Sequence, residues 1–306
     1  MNEACKGITT VFLTAATINF MDNLPYQYEA SYRVNVTGTE NVIKACQNQQ
    51  VKYLIQTSTL HVTVPNPYQN TNSLWSLFAT PKKGVIYITE DDEYVTRDTA
   101  TSHYGSTKAI AEQLILQANS SSLSTVSIRP PGIFGARDHL VAEDMLQNLE
   151  YVFFGFRMLL DWEYVDNICF SHLLAEAKLR STSKSQVAGN AFLISNNEPM
   201  INDVFRTMFV YYGKLKATSG PPRLIWMLGY IVEILQRIFQ KNFPRLSHPL
   251  NCLTLTALRI MVLDLSVTST KAKDILGYSD IFTVEEGIQL SVMEYQNKGV
   301  TLFSQN

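Results

Sequence analysis

The feature that most constrains this chain is the spacing of its short apolar runs. Residues 9–15, Tyr53–Thr57 and residues 125–129 each read as a buried strand, and segments with helical periodicity lie between them. Between the first two, residues 32–47 place Val34, Val42, Ala45 and Cys46 at helical spacing. Between the second and third, a helix is expected over residues 102–118, capped by Ser102 or Thr101, with Ile110, Leu114 and Leu116 as apolar positions. Strands that alternate with helices are joined by crossovers, and crossovers make neighbouring strands parallel. The expected fold is therefore α/β, a parallel sheet with helices on both faces. Residues 60–83, rich in Pro, Asn and Thr, form an irregular excursion before a short run at 85–89.

After Gly135 the pattern loosens, as a substrate-covering lobe of loops and helices would. Residues 168–179 and 203–211 look helical, and 190–194 strand-like. A length of 306 residues suits one α/β unit with an appended lobe. With 46% hydrophobic and 17% charged residues the chain is not disordered, and a net charge of -2 gives no field for nucleic acid. The acidic run from Glu90 to Glu93 reads as a solvated loop. Cys5, Cys46, Cys169 and Cys252 form no CxxC, so neither a zinc site nor a disulfide framework is indicated, and a reduced compartment fits. Met1, Asn2, Glu3 and Lys6 do not resemble a secretory leader.

The most apolar helical stretch is 222–239, where residues 224–232 carry no charge. That is about half the ~20 residues needed to cross a bilayer. With Arg223, Glu233 and Arg237 around it, the stretch suits either peripheral contact with a membrane surface or the core of the lobe.

Candidate chemistry centres on Tyr104 and Lys108, a phenol and an ammonium four residues apart on one helical face. A fixed cation beside a tyrosine favours the phenolate, so the pair could exchange a proton with an alcohol or ketone. The spacing alone is weak, because Tyr212 and Lys216 repeat it. What separates the copies is Thr57-Ser58-Thr59, whose hydroxyls would emerge at the carboxyl edge of a parallel sheet, where open α/β folds bind ligands. No GxSxG, GxxxxGK[ST] or HExxH occurs. His61, His103, His139, His172 and His248 read as surface or structural groups, and His103 as pointing away from the Tyr104 face.

Beyond this spacing, the chain carries 11-VFLTAA-16, 35-NVTGT-39 with Asn41 and Val42, 56-QTST-59, Tyr104 to Lys108 followed by Ala109, Ala111 and Glu112, and 129-RPPGIFG-135. Tyr164-Val165-Asp166-Asn167, Gly189 with 191-AFLI-194, and Leu276-Gly277-Tyr278 follow in order. On these motifs the chain resembles the extended short-chain dehydrogenase/reductases, in particular the 3β-hydroxysteroid dehydrogenase/isomerase family with its sterol 4-carboxylate dehydrogenase relatives. The resemblance implies a Rossmann-type doubly wound sheet and a smaller, mostly helical substrate lobe. It implies an NAD cofactor, with NADP admitted, and a steroid or sterol-like substrate oxidised at a 3β-hydroxyl. Tyr104 would be the acid/base, Lys108 would bind the nicotinamide ribose, and Thr59, where the family usually has serine, would hold the reacting oxygen, with Ser58 as substitute. Pro130, Pro131 and Gly132 would lie beside the nicotinamide. Leu13 departs from the histidine that many members carry.

The resemblance also makes an absence conspicuous. None of the 14 glycines forms GxGxxG or GxxGxxG, the turn that lets a pyrophosphate approach backbone amides. By this resemblance the chain begins near the fourth strand of an incomplete sheet and is expected to bind NAD(H) or NADP(H) poorly by itself. Residues 1–135 would form the partial nucleotide-binding domain with 160–197 packed back on it, and 136–159 and 198–306 the substrate lobe. The retained motifs favour an enzyme, located in the cytoplasm or at the endoplasmic reticulum membrane surface, with a homodimer admitted. The missing turn favours a noncatalytic lipid-binding or interaction protein, and a nucleotide-sugar epimerase is a further reading.

Overall fold

The computed structural model describes residues 1–18, 25–67, 84–136, 138, 151–154, 158–182, 184–213, 216–219, 227–232, 234–235 and 263–297. Its centre is a four-stranded sheet in the order β1 (Thr10–Leu13), β2 (Tyr53–Thr57), β4 (Ser124–Arg129) and β9 (Asn190–Leu193), parallel throughout. Between β2 and β4 in sequence lies β3 (Ile86–Ile88).

The chain from β1 to β2 is helical earlier than its periodicity indicates. α1 (Pro25–Tyr32) runs into a π-turn (Arg33–Thr37) and then α2 (Gly38–Asn48). α3 (His103–Gln117) crosses from β2 to β4, and Ser102 caps it by accepting the Gly105 N–H at 3.2 Å. Beyond β4 come β5 (Gly132–Phe134), β6 (Tyr151–Phe154), β7 (Leu159–Leu160), β8 (Trp162–Tyr164), α4 (Val165–Leu179) and α5 (Lys184–Val187).

Alternation along β2 explains the two-faced cover. Leu54 packs with Val42, Ala45, Cys46 and Ile115 of α2 and α3, whereas Ile55 packs with Val126, Ile168, Ala175, Leu179 and Phe192 on the α4 side. Helices therefore cover both faces, and a doubly wound Rossmann-like sheet results.

The carboxyl-terminal part adds β10 (Met200–Ile201), α6 (Asn202–Gly213), β11 (Lys216–Ser219), β12 (Leu265–Val267), a π-turn (Ala272–Leu276) and α7 (Val284–Asn297). An aromatic cluster joins it to the end of the sheet: Trp162 stacks on Phe205 at 4.1 Å, and Phe134 meets Phe205 edge-on at 5.1 Å. Ala272, Leu276 and Tyr278 return to the α4 face of the sheet. In the apolar stretch 222–239, residues 227–232 and 234–235 are helical and the rest lies outside the described residues, as do 68–83, His139, His248 and Cys252.

Candidate active site

Because β2 and β4 are parallel and in register from Tyr53↔Ser124 to Thr57↔Ile128, their carboxyl ends reach one edge together. The chain leaves β2 there through Ser58 and Thr59 into a 3-10 turn (Leu60–Val62), which Thr59 caps by accepting the His61 N–H at 3.3 Å. The first turn of α3 lies directly on this 3-10 turn. A Cβ at Gly105 would stand 3.0 Å from the His61 carbonyl oxygen, so the contact depends on glycine. This approach brings Tyr104 into hydrogen bonding with Thr59, and both are buried.

Lys108, one turn further along α3, is also buried and donates from Nζ to the Thr57 carbonyl at 2.6 Å. Tyr104, Lys108 and Thr59 are thus gathered at one sheet edge. Their electrostatics differ from the sequence expectation that the cation holds the phenol low. Burial pushes Tyr104 up to about 12, with the Thr59 hydrogen bond as the opposing influence. Burial likewise lowers Lys108 to about 8, against the pull of Glu112. Each group is short of solvent, so each is driven towards its neutral form.

Glu112 continues the Tyr104–Lys108 stripe by one more turn. Burial would raise its carboxyl, but the charge and hydrogen bonds of Arg129 outweigh this and hold it below its ordinary value. Arg129 donates to Glu112 through Nε at 2.9 Å and Nη2 at 2.6 Å, in a pair with side-chain exposures of 1% and 0%. Ser127 and Tyr94 also donate to this carboxylate, at 2.9 and 2.7 Å. The pair anchors α3 to β4 beneath the site.

Asn35 sits on the π-turn before α2, and the sequence reading quoted it only as part of a motif. It accepts the Thr17 N–H at 2.8 Å and donates to the Thr17 carbonyl at 3.2 Å and to Thr107 Oγ1 at 3.0 Å. The segment after β1 is thereby tied to α3. A buried asparagine on a sequence stretch that reads as ordinary helix gives no signal of such a role; the π-turn that directs it inward is a feature of the fold.

The turn after β4 passes beside the same edge, where the Pro130 carbonyl accepts the Leu60 N–H at 3.1 Å and Pro131 is buried. Gly132 has a packing requirement of its own. A Cβ there would meet Trp162 Cε3 at 2.8 Å and Leu160 Cδ2 at 2.9 Å. His103 packs edge-on against Tyr28 at 5.2 Å.

The second Tyr/Lys pair is not one helical face at all. α6 ends at Gly213 and Lys216 starts β11, while the Tyr212 hydroxyl donates to Glu285 on α7.

The family model described as the 3-beta hydroxysteroid dehydrogenase/isomerase family matches residues 1–219. A 3beta-hydroxysteroid-dehydrogenase/decarboxylase, isoform 2, of Arabidopsis thaliana is 29% identical over 96% of this chain and 50% of its own length. The chain thus spans about half the length of that relative. A decarboxylating sterol-4-alpha-carboxylate 3-dehydrogenase of Candida albicans is 30% identical over 89% of this chain and 73% of its own. Among solved structures, MoeE5 in complex with UDP-glucuronic acid and NAD superposes with a TM-score of 0.65 at 18% identity, over 97% of this chain and 82% of that one. At that identity the likeness speaks for the fold.

Proposed function

Since the chain belongs to the 3-beta hydroxysteroid dehydrogenase/isomerase family, we propose that it serves an NAD(P)-dependent oxidoreductase that converts a 3β-hydroxyl of a steroid or related hydrophobic alcohol into a ketone. The observation that carries this reading is the buried Tyr104–Thr59 hydrogen bond with Lys108 one turn along the same helix, at the carboxyl edge of a parallel sheet.

The donor set suits the nicotinamide ribose. An ammonium has three N–H donors, and the Thr57 carbonyl takes one of those of Lys108, which leaves donors for a diol. Pro131 and Gly132 form the neighbouring wall. When bound, the nucleotide supplies the hydride acceptor, with NAD the first choice and NADP admitted. Thr59 and Tyr104 hold the reacting oxygen. The Tyr104 oxygen takes the hydroxyl proton as the carbonyl forms, or returns it in the reverse direction. A phenol raised by burial stands protonated at neutral pH, so alcohol oxidation gains from alkaline conditions. A carboxyl on the carbon beside the new ketone becomes a β-keto acid, which accounts for the decarboxylating relatives.

In this reading residues 1–135 with 160–197 form the nucleotide half, and 136–159 with 198–306 form the substrate lobe. The exposed Met227, Leu228, Ile231, Ile234 and Leu235 support peripheral contact with a membrane surface, and no helix among the described residues is long and apolar enough to cross one. The same exposed apolar side chains fit a second reading, a noncatalytic apolar-ligand binder.

NADH titration of the folded chain, with dehydrogenase assays on 3β-hydroxysteroids with and without a 4-carboxyl, tests both readings. Turnover that Tyr104→Phe abolishes supports the enzyme. Steroid binding with neither turnover nor nucleotide binding supports the second reading.

A further inference from the structure

Thr57 closes β2, and both of its ends are occupied. β1 pairs with β2 only as far as Leu13↔Gln56, so the Thr57 carbonyl lies past the last β1 pair, where it accepts Lys108 Nζ at 2.6 Å. The hydroxyl of the same residue meets His172 Nε2 at 2.8 Å. His172 is buried on α4, on the opposite face of the sheet from α3, and its Nδ1 stands 2.7 Å from the Ile168 carbonyl oxygen. A carbonyl only accepts, so Nδ1 carries the proton and Nε2 of the neutral ring accepts from the Thr57 hydroxyl. Burial lowers the imidazole below its ordinary range, which keeps this tautomer at neutral pH. Ile168 belongs to the apolar cluster under the sheet, so the ring hangs from a fixed helix. Threonine is stiff at χ1, and fixing its hydroxyl fixes the orientation of its backbone.

We infer that His172 is the positioning residue for Lys108: it holds the Thr57 hydroxyl from the far side of the sheet and thereby sets the carbonyl that directs the ammonium. This inference rests on the proposed role of Lys108 as the nucleotide-binding cation. A histidine with no motif around it, set aside on sequence grounds as structural, thus acts on the site through one intervening residue.

The test uses the full chain and three substitutions. Thr57→Val removes the hydroxyl at nearly constant volume. His172→Asn keeps an amide near the Nδ1 position but is too short to reach Thr57, and His172→Gln keeps an acceptor at the reach of Nε2. Two readouts are taken: the pH midpoint for acylation of Lys108 by trace acetic anhydride, read by peptide mass spectrometry, and KM for NAD alongside kcat. In Thr57→Val and His172→Asn the midpoint should move to lower pH, because the ammonium loses the acceptor that favours its charged form. KM for NAD should rise roughly tenfold, the scale of a hydrogen bond to a charged group. The double variant should be no worse than either single one, and His172→Gln should recover most of both effects.

Thermal unfolding confirms that each variant is folded, and if His172→Asn is not, Thr57→Val decides. A wild-type midpoint in folded Thr57→Val overturns the inference. Lys108→Ala separates the two levels. If it leaves KM for NAD unchanged, the functional reading of Lys108 fails, while the acylation midpoint still decides whether His172 positions it.

Discussion

Tyr104 and Tyr212 each stand four residues before a lysine, and the fold treats the two regions in opposite ways. On α3 the spacing survives as a buried stripe of Tyr104, Lys108 and Glu112 laid against the end of β2. On α6 the helix stops between the two residues, and Tyr212 is engaged by the Glu285 carboxylate of another helix. A four-residue spacing has chemical meaning only where the helix continues and a strand end supplies partners. The buried copy carries a cost: burial holds Lys108 well below the ordinary lysine range. A protein that keeps an ammonium where the fold disfavours it is better explained by function than by stability.

The largest expected effect sets the copies furthest apart. Where dehydrogenase turnover is measured, Tyr104→Phe should lower kcat by ~10² to 10⁴, and Tyr212→Phe should change it less than about twofold. A Tyr104→Phe enzyme with more than about a tenth of wild-type kcat would assign the proton to another group.

Next comes the anchor beneath the stripe. Arg129→Ala leaves Glu112 buried without its cation and should destabilise the fold by about 3–5 kcal/mol in denaturant unfolding. A loss below about 1 kcal/mol would mean that water reaches Glu112.

Lys108→Met should act in the other direction on stability. The folded value is about 8 against an ordinary 10.5, so the unfolded chain binds more protons between these pH values. The penalty is full below about pH 8 and is relieved as pH rises towards 10.5. Lys108→Met should therefore stabilise the fold at pH 7 by an amount on the order of 3 kcal/mol, less what its hydrogen bond contributed, and the gain should shrink through that window. Turnover should be lost at every pH. Equal stability of the two proteins from pH 7 to 10.5 would show that Lys108 is solvated.

The smallest effect concerns the contact that separates α3 from α6. Gly105→Ala pushes a methyl onto the His61 carbonyl and should cost about 1–3 kcal/mol while pulling Tyr104 away from Thr59. Calorimetry together with kcat checks it. An unchanged melting point would show that the 3-10 turn yields.

Much of this arrangement was legible in the residue order. β2 and the cap of α3 fall where periodicity and Ser102 put them, because the strand is continuous in burial and a serine before a helix has one dominant use. The helical start at Pro25 was not legible, since α1 has no apolar stripe and is held by its neighbours. Gly132 read as part of a nucleotide-facing turn, and its nearest constraint is the Trp162 ring, thirty positions further along the chain.

By itself the sequence determined the alternation of strand and helix, hence the parallel winding, and it placed the phenol and the ammonium on one helical face. These are local properties, set by backbone periodicity and by neighbours within a turn or two. Tertiary structure alone decided that the Tyr104/Lys108 pair is buried, that Tyr104 meets Thr59, that burial raises the phenol against the Thr59 hydrogen bond, and that His172 reaches Lys108 through Thr57. Desolvation and hydrogen bonds between distant segments depend on which surfaces the fold brings together, and the His172–Thr57 contact joins positions 115 residues apart.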